Sequence, residues 1–301
     1  MNRNHQRLAA CALACLFGCA TEPTPDPTSV APSGPKADDP TATTCEPSSP
    51  QNDPVALVTA CEQLSGVNIN GKLDCIAGGS RSAAPADLVT ACATVLTGAN
   101  INGTLDCIHA GARSQQPAEL VTRCEHLSGT NINGKLDCIA AAAPSPAPKT
   151  LIDACTDVLT DANINGTLSC MRGGARSAQP LELVTSCEHL ATNINGKLDC
   201  IAKAAPSLAP QELVDACTGT LTGANINGTL SCIAGGAASE QPAELVTACE
   251  HLPGTNINGK LDCIKGAAPS PKPADLVTAC TSVLTGANIN GILACIANRP
   301  I

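Results

Sequence analysis

Pro242-Ala-Glu-Leu-Val-Thr-Ala-Cys249, followed by Glu-His-Leu-Pro-Gly-Thr and then Asn256-Ile-Asn-Gly-Lys-Leu-Asp-Cys-Ile264, is the clearest copy of a phrase that the chain repeats eight times. The first cysteines of the copies are Cys61, Cys92, Cys124, Cys155, Cys187, Cys217, Cys249 and Cys280, which step by 31, 32, 31, 32, 30, 32 and 31 residues. A period this regular marks a repeat architecture, in which each unit buries its apolar face on its neighbours.

The first half of each copy reads as a helix. A proline stands seven residues before every first cysteine, from Pro54 and Pro85 to Pro273, and an acid follows it by two in six copies: Asp87, Glu119, Glu182, Glu212, Glu244 and Asp275. Proline at the first helical position loses no hydrogen bond, and an acid in the first turn meets the positive end of the helix dipole. Leu88, Val89, Cys92 and Leu96 then fall on one face. This predicts a first helix over Pro85–Thr97 with Gly98 as its C-cap.

The second half, Asn100-Ile-Asn-Gly-Thr-Leu-Asp-Cys-Ile108, admits two readings. Asn-Gly between Ile101 and Leu105 can form a β-hairpin turn. The flanks are short, however, and Leu105 and Ile108 lie three apart, which favours Asn102 as an N-cap with a second helix over Gly103–Ala110. The expected fold is therefore all-α: a right- or left-handed α-solenoid of eight helix–turn–helix repeats of about 31 residues.

Antiparallel helices place the two cysteines of a copy face to face. The expected partners are Cys61 with Cys75, Cys92 with Cys107, Cys124 with Cys138, Cys155 with Cys170, Cys187 with Cys200, Cys217 with Cys232, Cys249 with Cys263 and Cys280 with Cys295, at spacings of 13 to 15 residues. In an exported chain such pairs read as disulfides. With one Phe and no Tyr or Trp, each unit has a thin aliphatic core that needs such staples. Copies one, three, five and seven carry Glu or Glu-His after the cysteine and Asn-Gly-Lys in the second half. Copies two, four, six and eight carry a longer turn and mostly Asn-Gly-Thr, giving a super-period of 62–63 residues.

Three segments are expected: a signal over 1–18, a Pro/Thr/Ser-rich tether over 19–53 that cannot bury enough apolar surface to order itself, and the array over 54–301. Arg3 and Arg7 precede the ten-residue apolar run Leu8–Phe17, which is too short to span a bilayer. The run ends in Leu16-Phe17-Gly18-Cys19, which resembles the lipobox of bacterial lipoproteins. That resemblance implies diacylation of Cys19, including palmitate, and an anchor in the outer membrane of a bacterial cell envelope, since Ala20 is not the Asp that marks inner-membrane retention. An ordinary secretory signal is the alternative. The repeats are similar to Cys-containing helical-repeat regions of bacterial surface lipoproteins, and no activity follows from that similarity.

Composition narrows the function. Formal net charge is −9, and residues 19–301 hold 15 basic against 26 acidic groups. With no basic patch and no aromatic platform, nucleic acid is not an expected partner. Asp161-Ala-Asn163-Ile-Asn165-Gly166 has the spacing of half a calcium loop, but position 12 is Arg172, and the other copies place Gly or Ala at the first position. His126, His189 and His251 recur one per 62–63 residues and His109 stands alone, so no His pair forms. The cysteine spacings fit neither haem attachment nor close zinc pairs. No catalytic residue, metal or cofactor is expected. The reading is a non-enzymatic lipoprotein that spaces or binds an unknown protein or surface ligand; the alternative is an exported redox or hydrolytic enzyme.

Cys45 lies outside the repeats, nine residues before Pro54, and is the one cysteine left after the array pairs, Cys19, and the signal's Cys11 and Cys15 are assigned. An odd cysteine in an exported chain suggests either an intermolecular bridge, giving a covalent dimer, or a free exposed thiol. Non-reducing electrophoresis is expected to show a dimer that Cys45→Ser abolishes; a monomeric parent band under oxidising conditions would remove it.

Overall fold

The computed structural model describes residues 53–284 and 287–298. Cys19 and Cys45, and with them the signal and all but the last residue of the tether, lie outside those residues. The described residues form sixteen helices and no strand. The first helices of the repeats are α1 (Pro54–Glu62), α3 (Pro85–Thr94), α5 (Pro117–Glu125), α7 (Pro148–Asp153), α9 (Pro180–Glu188), α11 (Pro210–Gly219), α13 (Pro242–Glu250) and α15 (Pro273–Val283). The second helices are α2 (Ile69–Gly79), α4 (Ile101–Gly111), α6 (Ile132–Ala142), α8 (Ile164–Gly174), α10 (Ile194–Ala204), α12 (Ile226–Gly236), α14 (Ile257–Ala267) and α16 (Ile289–Ala297). Each odd helix packs on the next odd helix, each even helix on the next even helix, and the two helices of a repeat on each other. The result is the expected solenoid of two helical layers.

The first helices start where the prolines predict. Leu88, Val89, Cys92 and Leu96 are all buried, as their spacing requires. The end differs from expectation: α3 stops at Thr94, not Thr97, and Gly98 lies in the following turn with φ +78°. The second helix also starts earlier than expected. Asn100, not Asn102, is the N-cap of α4, and its Oδ1 accepts the Gly103 N–H at 2.9 Å. The same bond recurs in every repeat, from Asn68 to Asn288. In Asn-Ile-Asn-Gly the glycine is therefore the third helical residue, not part of a hairpin turn. A side chain there would press on the residue before the cap: a Cβ on Gly134 would lie 3.0 Å from Thr130 Cβ.

These caps explain the variable cysteine spacing. The capping Asn stands seven residues before the second cysteine in all eight copies, so the variation falls at the end of the first helix. Odd repeats close with a tight i→i+3 bond, Leu127 N–H to Cys124 carbonyl at 3.2 Å. Even repeats two, four and six take up their extra residue in a wide i→i+5 bond: Leu96 to Ala91, Leu159 to Ala154 and Leu221 to Ala216. In repeat four the widening extends to a π-helical segment, Ala154–Val158, after α7. Both closures bury the same leucine, Leu96 and Leu127 among them.

Adjacent repeats are linked through a serine three residues before the next proline, a signal that stands in the sequence but has no meaning there until the linker is seen. Ser114 is buried; it donates its N–H to the Gly111 carbonyl, and its Oγ accepts the Gln116 N–H at 3.1 Å. Ser82, Ser145, Ser177, Ser207, Ser239 and Ser270 accept in the same way. The hydroxyl thus satisfies a backbone donor that the turn would leave unpaired.

Cysteines fill the middle of the core, and every expected partnership is a disulfide. Cys61 is bonded to Cys75, Cys92 to Cys107, Cys124 to Cys138 and Cys155 to Cys170 in the first four repeats. Cys187 is bonded to Cys200, Cys217 to Cys232, Cys249 to Cys263 and Cys280 to Cys295 in the last four. Cα–Cα distances are 5.6 to 5.9 Å throughout, so sequence separations of 13, 14 and 15 residues give one geometry. The second cysteines sit at the same place on each second helix: Cys75, Cys107, Cys138, Cys170, Cys200, Cys232 and Cys263 are wholly buried. Cys295 of α16 is only partly buried.

Beside the disulfides the layers approach closely: a Cβ on Gly111 or Gly174 would come within 2.6 or 2.7 Å of Leu88 or Leu151 Cδ1. Where the position is not glycine it is alanine, as at the buried Ala142 and Ala204. Helices of 6 to 11 residues are marginal alone, and each cross-link closes a loop that could contribute up to about 3 kcal/mol. Circular dichroism melts with and without a reductant are therefore expected to differ strongly, whereas EDTA leaves the melt unchanged. Equal melting temperatures with and without reductant would show that the staples carry no stability.

Candidate functional site

Chemistry-bearing side chains recur in this molecule with the super-period, and their most defined arrangement lies where an even repeat meets the next odd one. Glu125, the last residue of α5, accepts from Lys135 Nζ of α6 at 2.7 Å. It also accepts from Thr97 of the preceding repeat, through the backbone N–H at 3.1 Å and through the hydroxyl. Glu188 repeats this with Lys197 at 2.7 Å and Thr160, and Glu250 with Lys260 at 2.7 Å and Thr222. Threonine precedes glutamate by 28 residues each time. That constant offset between Leu-Thr or Leu-Thr-Gly in one repeat and Cys-Glu in the next is visible in the sequence, yet its meaning depends on how repeats stack.

Burial acts first on these carboxyls and pushes their pKa values up. The hydrogen bonds from the lysine and threonine outweigh it and hold Glu125, Glu188 and Glu250 below their ordinary value. A carboxylate so held is stabilised as the anion and is poorly suited to accept or donate a proton in catalysis.

The remaining candidates are placed separately. Asn163 of the calcium-like stretch spends its Oδ1 capping α8, where it accepts the Gly166 N–H at 3.0 Å. Asp161 occupies the position of Gly98 and Gly223 and shares their left-handed backbone, with φ 61° against 78° and 77°. Asp tolerates that region better than most residues, so its presence has a conformational reason. His126 and His251 each set Nδ1 2.7 Å from the carbonyl of the threonine four residues earlier, so Nδ1 carries the proton. The four histidines stand on separate repeats, as their spacing predicts. His109 Nε2 lies 3.2 Å from Asp74 Oδ1 of the preceding repeat, with its ring over Gly78. The sixteen array cysteines are taken up in the eight disulfides. Among the described residues no group of three His, Cys, Asp or Glu side chains gathers to hold a metal ion.

Shallow grooves run between neighbouring helices of both layers. Arg123, His126, Asp153 and Asp157 line one between repeats three and four; His189, Asp215 and Thr218 line its counterpart between five and six. In the even layer Asn258, Leu261, Asp262 and Lys265 line a groove between α12 and α14. The chain matches no protein-family model, no curated protein and no solved structure.

The junction carboxylates make stability depend on pH with a definite sign. Their folded pKa values lie below the unfolded ones, so their contribution is complete above the ordinary carboxylate range, about 4. It is lost as pH falls through the lowered folded values. The melting temperature is expected to drop with acidification in that window. The triple variant Glu125→Gln, Glu188→Gln, Glu250→Gln should melt lower at neutral pH and show a flatter acid dependence. An unchanged slope would assign the acid sensitivity to other carboxylates.

Proposed function

We propose that the chain is a non-enzymatic lipoprotein, anchored by a diacylated Cys19 in the bacterial outer membrane, whose array acts as a spacer or a scaffold for a protein or surface ligand. The observation that carries this reading is that the recurrent polar residues serve the stacking itself. Each capping Asn holds a helix start, each Ser a linker, and each Glu–Lys–Thr set a junction. Grooves between neighbouring helices recur along the array, an arrangement suited to extended or repeated partners. The exposed Asp74, Asp106, Asp137, Asp199 and Asp262 share one position on the even helices, where Asp74 faces His109 and Asp199 pairs with Lys203.

Mass spectrometry of the mature N-terminus is expected to find a diacylglyceryl cysteine at position 19; an unacylated terminus elsewhere would remove the anchor. Titration of the oxidised native array with DTNB distinguishes the enzyme alternative. A scaffold with sixteen paired cysteines leaves the array unreactive, whereas several reactive array thiols would favour redox chemistry.

A further inference from the structure

The second asparagine of Asn-Ile-Asn-Gly does not cap its helix, yet it stands in every interior copy: Asn102, Asn133, Asn165, Asn195, Asn227 and Asn258. Each is exposed at the second residue of its helix. Each precedes the glycine whose N–H the capping asparagine accepts.

An Asn-Gly pair carries a reaction of its own. The glycine nitrogen can attack Cγ of the asparagine side chain. A C–N bond forms, the bond from Cγ to the amide nitrogen breaks, and ammonia leaves, so that a succinimide ring spans the two residues. Water then opens either carbonyl of the ring, giving aspartate or, with the main chain rerouted through Cγ, isoaspartate. Apart from that water no co-reactant enters. Glycine has no side chain to hinder its nitrogen. The β-branched isoleucine after each capping asparagine does hinder it.

The structure opposes the reaction in two ways. The glycine nitrogen must lose its proton, but in each of these repeats the N–H is donated to Oδ1 of the capping asparagine at 2.9 to 3.1 Å. The glycines are themselves buried or half-buried. The pair also lies in the first turn of a helix, and ring closure needs the torsion joining the two residues to leave the helical range. Reaction therefore waits on local opening of that turn. The second cysteine follows the asparagine by five residues, as Cys138 follows Asn133, so its disulfide to the first helix anchors the same turn.

We propose that these Asn-Gly pairs are latent deamidation sites, held as amides by the cap and the disulfide and converted once the staple of their repeat is reduced. The two products act differently on the fold. Aspartate at the second helical position sets a carboxylate beside the positive end of the helix dipole and is accommodated. Isoaspartate adds a carbon to the main chain between cap and glycine, so the glycine N–H no longer meets Oδ1. A repeat left reduced is thus marked irreversibly, and re-forming its disulfide does not restore its cap.

Peptide mapping by mass spectrometry, with fragmentation that separates aspartate from isoaspartate, tests this on the full chain held at mildly alkaline pH with and without a reductant. In the oxidised chain the interior Asn-Gly asparagines are expected to remain amides. Reduction should raise their conversion about a hundredfold, the factor that a closed loop of this size implies. In the same reduced chain Asn131, which precedes Ile132, should lag far behind Asn133. In the oxidised variant Asn131→Ala, conversion of Asn133 should rise about fivefold, the usual effect of losing a cap. Asn195 of the same molecules should be unchanged, and Asn131→Ser, which keeps a cap acceptor, should restore the parent rate. Asn163→Ala, read at Asn165, is the second cap variant, and the reductant comparison needs no variant at all. Conversion at one rate with and without reductant, fast or slow, would overturn the proposal. So would cap variants in which the neighbouring asparagine reacts no faster than in the parent. Equal conversion of Asn131 and Asn133 in the reduced chain would overturn it too, because the glycine nitrogen would then play no part.

Discussion

The covalent link between the two helices of each repeat is the constraint on which the rest of this structure depends. The first helices can be as short as six α-helical residues, and the core has no aromatic side chain to add area. Neither propensity nor burial within one unit holds such helices together. The disulfide sits at the centre of the unit, buried in every interior repeat, and sets the separation of the two layers there. Around that point the layers come close enough that only glycine or alanine fits at the position of Gly111, Ala142 and Gly174. Cysteine, small residue and aliphatic neighbour thus form one packing solution repeated along the array.

Once the staple and the Asn cap are set at a constant offset, the chain between the first cysteine and the cap can change length. It does so by changing how the first helix ends, tightly in odd repeats and widely in the even repeats two, four and six. Both closures return the same leucine to the core, which is the condition each must meet. The different closures give alternate repeats different edges. The wide turn of an even repeat presents a threonine to the glutamate of the next odd repeat, and a lysine from the odd repeat's own second helix completes the set. Alternation in the sequence therefore becomes alternation in the junctions.

That alternation bears on the functional reading. The side chains that would draw attention as catalytic candidates in another protein are here occupied in stacking: the glutamates are held as anions, and the asparagines cap helices. The histidines stand on separate repeats. The grooves between neighbouring helices recur along the array, which supports the proposal of an extended or repeated partner.

From sequence alone the number of repeats, the two helices of each, the buried face of the first and the cysteine pairs are legible. These depend on interactions between residues a few positions apart: proline at the first helical position, apolar side chains four apart on one face, and cysteines equidistant from one turn. Sequence reading misplaces the cap by two residues because Asn100 and Asn102 are equivalent as local signals; only the position of Gly103 beneath the residue before the cap distinguishes them. It places the end of α3 too late because a helix closing through an i→i+5 bond has the same composition as one that continues. The Thr–Glu–Lys junctions are present as letters at constant offsets, but their meaning requires knowing which face of one repeat rests on the next. That is decided by packing between units about thirty residues apart, where a hydrogen bond forms only after the layers have been brought together.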